Sequence, residues 1–413
     1  MGGDFKQSMP VVGKQDFIKL AGKDKHEVQR LASIKNWKYF NGTDPHQFRV
    51  TRLRINNRLE PGQEKYRAFL KVIGAGLHTD TYHEEHVQVP KELQAHSREE
   101  IIKFVFEDML DRPLEYGEEL CGRAILCITN EDAFKLNQLL MNTLKGKPRI
   151  YKSLDTAIEV DAVDHMAVNI NDGNIEQLNR KTPRHMPQHV LEIKEGAIMM
   201  INTNVAVEDG LCNGTRVQII SMHDNYLWCR FVTGARKGQE FPLTRFRFQE
   251  GGEERINQIG GVPWTREQFP LRPGFVLTIN KAQGSLNCTA TLMQLIYIYF
   301  VVTGQTLEKV GVVLDHVSCF AHGQLYVAAS RVRRSDCIRF LLHPKSKGTT
   351  RNVVQRAMIP KEEQAEAKEE EKLYLQWLSG INIAFLFMFS FVYYSYLIRK
   401  PNASACGRYS SCT

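Results

Sequence analysis

No two of the nine cysteines of this chain, at 121, 127, 212, 229, 288, 319, 337, 406 and 412, stand in a CxxC pair. That excludes a zinc ribbon and a dithiol redox motif and fits a reducing compartment. No GxxxxGK[ST] loop occurs anywhere, so the chain has no glycine-rich cradle of backbone amides for the β and γ phosphates of a nucleotide. The amino terminus, MGGDFKQSMPVV, has neither the basic and apolar regions of a secretory leader nor the Arg-rich, acid-poor helix of a mitochondrial transit peptide. His78, His83 and His86 in HTDTYHEEH lack the i, i+4 spacing that puts two imidazoles on one helix face, and the stretch reads as a solvated loop with no metal ligand. An excess of acid is also missing. Lys and Arg outnumber Asp and Glu by 54 to 46, for a formal net charge of +8, which suits a polyanionic partner without demanding one.

What is present is globular. With 43% hydrophobic and 24% charged residues over 413 positions, the chain is long enough for two or three domains. Glu64 to Ile73 predicts a short amphipathic helix stopped by Gly74. Ser97-x-x-Glu100 is a capping box ahead of the apolar face Ile101, Ile102, Val105, Phe106 and Met109. Ala124 to Ile128 predicts a strand covered on both faces, followed by a helix capped by Asn130 and carrying Phe134, Leu136, Leu139 and Leu140. From Lys194 to Phe248, four apolar runs separated by Gly, Asn and Asp turns predict a small antiparallel module. Phe275 to Ile279, Val310 to Leu314 and Ile338 to Leu342 then return to buried strands, with a helix over His322 to Val332. The module therefore reads as inserted within an α/β domain.

Several motifs carry chemistry. Gly3-Asp4-Phe5-Lys6-Gln7, followed by Pro10-Val11-Val12, resembles motif III of superfamily-one helicases of the Pif type. Leu53 to Arg58 (LRINNR) resembles motif IV. Thr278 to Gly284 (TINKAQG) and Gln305 to Val310 (QTLEKV) together resemble motif V. His322 to Val332 (HGQLYVAASRV) resembles motif VI almost letter for letter. Gly210 to Arg216 (GLCNGTR) is similar to a turn of the family's SH3-like 2B module, where Asn-Gly suits a tight hairpin. Arg123 to Asn130 is similar to the strand that ends in a Thr-Asn pair near single-stranded DNA, although Cys127 and Ile128 depart from the family pattern. The INKAQG and HGQLYVA wording is closest to the Helitron-transposon branch. The resemblance covers residues 1 to 345.

The resemblance implies an α/β fold, a RecA-like parallel-sheet lobe (2A) with an inserted SH3-like β module (2B), preceded by a remnant of a first RecA-like lobe. It divides the chain into 1–45 (first-lobe remnant), 46–193 and 263–345 (second lobe) and 194–262 (2B), followed by a charged linker helix over 346–379, a candidate transmembrane segment over 380–398 and a tail over 399–413. It implies an ATP-dependent 5′-to-3′ DNA helicase acting in unwinding, repair, recombination or transposition. Gln7, Arg58 and Arg331 are the expected catalytic residues, with Asp4, Gln283 and Gly284 joining them at the nucleotide. A planar, permanently charged guanidinium suits phosphate oxygens, and an arginine finger is worth about a thousandfold or more in phosphoryl transfer. Thr129, Asn130, Thr278, Asn280, Lys281 and His322 are the expected contacts to single-stranded DNA.

The family's cofactors are ATP and Mg²⁺, but neither the P-loop nor an acidic pair ahead of motif III is present, so the chain is expected to be inactive alone and to need an amino-terminal helicase lobe as partner. The alternative is a non-catalytic relic that holds single-stranded DNA or a partner helicase. Two segments do not fit either scheme. The uncharged run 285–304 interrupts motif V and reads as a translated intron. The uncharged run Gly380 to Ile398, followed by Arg399 and Lys400, is long enough to cross a bilayer core of about 30 Å or else is an aberrant carboxyl terminus. The expected destination is the nucleus, with mitochondrion and membrane as alternatives.

Overall fold

A computed structural model of the chain describes residues 6–7, 58–77, 85–157, 179, 182, 186–232, 236–250, 264–282 and 306–379, with the side chains of 250, 281 and 282 left out. Its centre is a five-stranded sheet, all parallel. In chain order the strands are β1 (Gln94–Ala95), β2 (Arg123–Cys127), β3 (Val276–Thr278), β4 (Lys309–Leu314) and β5 (Ile338–Leu342), and in space the order is β3-β2-β4-β5-β1. Such a sheet needs both faces covered. Alternate residues of each strand divide accordingly. Ile125, Cys127, Val313 and Leu341 join a core with Ile101, Val105, Phe106, Leu136 and Leu140. Ala124, Leu126, Val310, Val312, Phe340 and Leu342 join the opposite core with Phe69, Val72, Leu325 and Val327. The first core is supplied by α2 (Arg98–Phe106) and α3 (Asn130–Thr143), the second by α1 (Glu64–Ala75) and α4 (Gln324–Ala329). The fold is therefore α/β, as the sequence predicts.

The caps differ in detail from expectation. Helix α1 runs past Gly74 to Ala75 and ends at Gly76, whose left-handed φ of 71° lets its amide reach the Ile73 carbonyl. Gly74 serves close packing instead, since a Cβ there would lie 3.1 Å from the Tyr326 ring. At α2 the Ser97 hydroxyl accepts from the Glu100 amide at 3.1 Å, as the capping box predicts, while the Glu100 carboxylate accepts from the His96 amide at 2.7 Å. At α3 the cap is Thr129, not Asn130: its hydroxyl accepts from the Asp132 amide at 3.1 Å. Leu136 and Leu140 are buried, but Phe134 and Leu139, expected on the same face, are 45% and 42% exposed.

Between α3 and β3 the chain forms antiparallel structure. A five-stranded sheet orders Glu240–Thr244, Tyr226–Phe231, Arg216–Met222, Ile198–Ile201 and Leu271–Pro273. A three-stranded sheet joins Phe246–Glu250, Trp264–Gln268 and Leu154–Ala157, and Arg149–Lys152 pairs with Val190–Ile193. The strands that pair with one another thus run from 149 to 273, beyond the 194–262 expected for the module. Both flanks had been read as lobe because their short runs carry little turn signal.

The joint between module and lobe is a buried arginine. Arg216 is wholly inaccessible, and its guanidinium donates to the carbonyls of Gly274 (3.1 Å), Cys121 (3.2 Å) and Arg123 (2.8 Å). Burial pushes its pKa down to about 10, so it is still a cation at neutral pH. Gln218, on the same strand, donates to the Pro113 carbonyl at 3.1 Å, and Lys194 donates to the Met141 and Leu144 carbonyls at the carboxyl end of α3, at 2.7 and 2.9 Å.

The stretch 346–379, expected as a linker, is docked. Thr349–Arg351 pairs antiparallel with His86–Gln88, and α5 (Lys361–Ser379) lies along α1. Tyr374 and Trp377 are buried against Phe69, with ring centroids 5.7 and 6.4 Å from it, and the Trp377 indole donates to Glu92 at 3.0 Å. Lys71 and Arg67 pair with Glu370 at 3.0 and 3.2 Å. The helix is charged on one face and apolar on the other, and the Glu-rich composition hides the apolar positions. Among the described residues no helix is long and apolar enough to cross a membrane, and the runs 285–304 and 380–398 lie outside them.

Two stability measurements follow from this packing. Arg216→Ala removes the guanidinium donors from three carbonyls at the joint and is expected to cost about 3–5 kcal/mol in urea denaturation, with the module loosening first by hydrogen exchange. Trp377→Ala is expected to cost about 3 kcal/mol and to release α5 to limited proteolysis.

Candidate functional site

The residues singled out in the sequence fall into two groups. The first lies along α4, part of it at the helix start and part at its carboxyl end. This helix begins at Gly323, whose φ of 73° is left-handed. A Cβ on Gly323 would lie 2.2 Å from the Lys6 carbonyl oxygen and 3.0 Å from that of Gln7, so the backbone of 6–7 rests directly on this glycine. Lys6 also pairs with Glu363 of α5 at 2.7 Å. At the other end of the helix, Arg58 Nη1 donates to the Ser330 carbonyl at 2.5 Å, and the Glu60 amide donates to the Arg333 carbonyl at 3.2 Å. The Tyr66 hydroxyl donates to the Ala329 carbonyl at 2.6 Å, and its burial raises the phenol pKa well above the usual range. Three segments far apart in sequence, near 6, 58 and 330, are thereby tied together.

Arg331 is buried, 0% exposed. Its Nε donates to the Val327 carbonyl at 2.7 Å and its Nη2 to the Ser330 hydroxyl at 3.1 Å, so the guanidinium covers the last turn of its own helix. Its backbone carbonyl accepts from the Leu307 amide at 2.8 Å. The Arg58 and Arg331 side chains thus meet the same residue, Ser330, one at its carbonyl and the other at its hydroxyl. Asp4, Gln283 and Gly284 lie outside the described residues.

The second group stands at the carboxyl ends of neighbouring parallel strands, where open α/β sheets hold ligands. Thr278 is in register with Cys127 on the adjacent strand, so Thr129 and Asn130 leave the sheet beside Asn280. Asn130 and Asn280 are exposed. The Thr129 hydroxyl is engaged as the α3 cap and donates to the Asp132 carboxylate at 2.6 Å, while Thr278 is buried. His322 is buried too, its Nδ1 accepting from the Gln355 amide at 2.9 Å. That placement ties His322, an expected contact to single-stranded DNA, to residues 353–356. The side chain of Lys281 lies outside the described residues.

The donor set suits one end of a nucleotide only. Arg58 and Arg331 bring guanidiniums of the kind that bind phosphate oxygens. Among the described residues no group of three or more His, Cys, Asp or Glu is arranged to hold a metal ion, and the sequence has no P-loop. Sequence reasoning missed the roles of Lys6, Tyr66 and Gln355. For Lys6 the only signal was its place beside Gln7, and the other two carry no motif.

Comparison with known proteins places these features in context. Residues 176–222 match the family model described as DNA helicase Pif1, 2B domain, a stretch that includes the GLCNGTR turn and the Arg216 strand. ATP-dependent DNA helicase PIF1 of Danio rerio is 25% identical over 219 residues, 52% of this chain and 27% of that protein. The Homo sapiens protein of the same name is 24% identical over 221 residues, 52% of this chain and 26% of its own length. The matched region therefore spans about a quarter of these relatives. Among solved structures, Pif1 helicase from Candida albicans is similar with a TM-score of 0.49 and 20% identity, covering 89% of this chain and 67% of that one. Bacteroides Pif1 bound to ssDNA has a TM-score of 0.49 at 18% identity, covering 90% and 66%.

The geometry at Gly323 makes one prediction. Gly323→Ala is expected to cost about 1–2 kcal/mol from the left-handed backbone alone, and more from the clash with residue 6, read as a fall in the urea midpoint.

Proposed function

We propose that this chain supplies the second RecA-like lobe and the 2B module of a Pif-type, ATP-dependent 5′-to-3′ DNA helicase of the Helitron-like branch. The observation that carries the reading is the meeting of Arg58 and Arg331 at Ser330, with the backbone of Lys6 and Gln7 against Gly323 of the same motif. Motifs III, IV and VI of such an enzyme serve one nucleotide, and the segments that resemble them here meet on one helix. In this reading Gln7, Arg58 and Arg331 face the phosphates of a nucleotide held by a P-loop that these 413 residues do not contain. Asp4, Gln283 and Gly284 complete their side of the cleft. Arg331, now folded onto its own helix, turns outward when that phosphate arrives. Single-stranded DNA lies over Asn130 and Asn280 at the strand ends, with Lys281 beside them, and the nucleus is the site of action.

The missing P-loop also favours a second reading, a non-catalytic relic that holds single-stranded DNA or a partner helicase. The two differ in what a P-loop lobe does to them. The purified chain is expected to release no phosphate from ATP, with or without single-stranded DNA, in a coupled-enzyme assay, and clear turnover would contradict the assignment of the nucleotide seat to other residues. Addition of a P-loop lobe from a related helicase is expected to restore DNA-stimulated turnover that Arg331→Ala abolishes. A relic would leave turnover absent in the same mixture.

A further inference from the structure

Two side chains on one face of the antiparallel module carry a buried polar atom that has no partner among the described residues. Arg272 and Met200 are in register on neighbouring strands, and Met200 is in register with Arg216 on the next. Residues in register share a face, so Arg216 and Arg272 flank Met200, about 10 Å apart across three strands. Their circumstances are opposite. Arg216 is saturated by three carbonyls. Arg272 is half-buried, and among the described residues its inaccessible Nε makes no hydrogen bond and no acidic group pairs with it. Burial lowers its pKa without any compensating contact. Asn202, two residues beyond Met200 on the same face, is only 8% exposed, and its Oδ1 is likewise unpartnered. Its backbone amide donates to the Pro270 carbonyl at 3.0 Å.

Unsatisfied buried groups are rare, and an unpaired desolvated cation costs folding energy. Here a donor cation and a neutral acceptor lie side by side, a pairing that suits a phosphodiester together with an N–H of the base it carries. Their side of the module is also the relevant one. Met200 packs in the core that contains Ile279, Leu325 and Val327, whereas its neighbours Met199 and Ile201 pack in the other. The face that bears Arg272 is therefore turned to the same side of the parallel sheet as α4, next to the strand starts that Arg216 reaches.

We propose that Arg272 and Asn202 form a contact for one nucleotide unit of single-stranded DNA, the guanidinium on its phosphodiester and the amide oxygen on a base N–H. The contact rests on the helicase reading above and gives the module a DNA contact of its own. The test is anisotropy of a fluorescein-labelled oligothymidylate with the full chain across a salt series. Arg272→Gln is expected to weaken binding about tenfold and to lower the slope of log affinity against log salt by about 0.7, the loss of one phosphate contact on a single strand. Its melting temperature is expected to be unchanged or higher, because an unpaired buried charge has been removed. A structural residue would move the other way. Arg272→Lys is expected to keep the slope and lose part of the affinity, and Asn202→Ala to weaken binding a few-fold at an unchanged slope. Arg247→Gln, a cation on an exposed strand paired to Glu267, is the control and is expected to bind like the parent chain. Parental affinity and slope in Arg272→Gln, or an equal loss in Arg247→Gln, would overturn the contact while leaving the helicase reading intact. An absence of any DNA binding by the parent chain would overturn both.

Discussion

The buried guanidinium of Arg216 is the constraint on which the arrangement of this chain depends. A cation with no access to water is costly, and replacing its hydration takes several well-aimed acceptors. The strand Arg216–Met222 brings the cation, and the lobe brings Cys121, Arg123 and Gly274. Cys121 and Arg123 bracket the start of β2, while Gly274 precedes β3, so one side chain holds the roots of two central strands against the module. Gly274 has no room for a side chain there, because a Cβ would lie 2.9 Å from the Met199 backbone. Lys194 and Gln218 repeat the device at the carboxyl end of α3 and at Pro113. Polar side chains on the module and backbone carbonyls on the lobe form a directional joint, which defines position more narrowly than apolar contact.

A second set of ties organises the motif residues. Ser330 receives Arg58 at its carbonyl and Arg331 at its hydroxyl, Ala329 receives Tyr66, and Gly323 receives the backbone of 6–7. Helix α5 closes this assembly from outside through Glu363 on Lys6 and Glu370 on Arg67 and Lys71. These exposed and half-exposed pairs contribute little energy individually. The apolar face of Tyr374 and Trp377 on Phe69 holds the helix, and the ion pairs set its register along α1.

Much of this was legible in the sequence, for a physical reason. Buried parallel strands need continuous apolar runs, and Ala124 to Ile128, Val310 to Leu314 and Ile338 to Leu342 announced the sheet without reference to any relative. Ser97 announced its cap because the hydroxyl and Glu100 stand at the one spacing the first turn allows. Elsewhere local signals competed. Gly74 and Gly76 are both able to end a helix, and tertiary packing of Tyr326 against Gly74 decided between them. Thr129 and Asn130 are both good caps, and the strand's end point decided. Phe134 and Leu139 have the right residue type for a core, but α3 turns only Leu136 and Leu140 inward. The GLCNGTR motif was read for its Asn-Gly turn, and its most consequential residue, Arg216, was passed over because charge in a sequence signals surface. Arg272 carried no signal at all, since only the register of three strands reveals what it faces.

The two sets of ties are continuous with one another. The Arg331 carbonyl accepts from the Leu307 amide, and the next amide, Glu308, donates to the Gly122 carbonyl at 2.7 Å. The carbonyls on either side of Gly122, those of Cys121 and Arg123, are the ones that receive Arg216. Backbone hydrogen bonds and one buried cation therefore link the last turn of α4 to the module strand without a gap. A shift of the Arg331 turn must either break the bond to Leu307 or carry the root of β2 with it, and the root of β2 is held by Arg216. Buried hydrogen bonds are expensive to leave unmade, so the small displacement that carries the module along is favoured over the break. The Arg331 turn and the module are thus positioned by one continuous chain of hydrogen bonds.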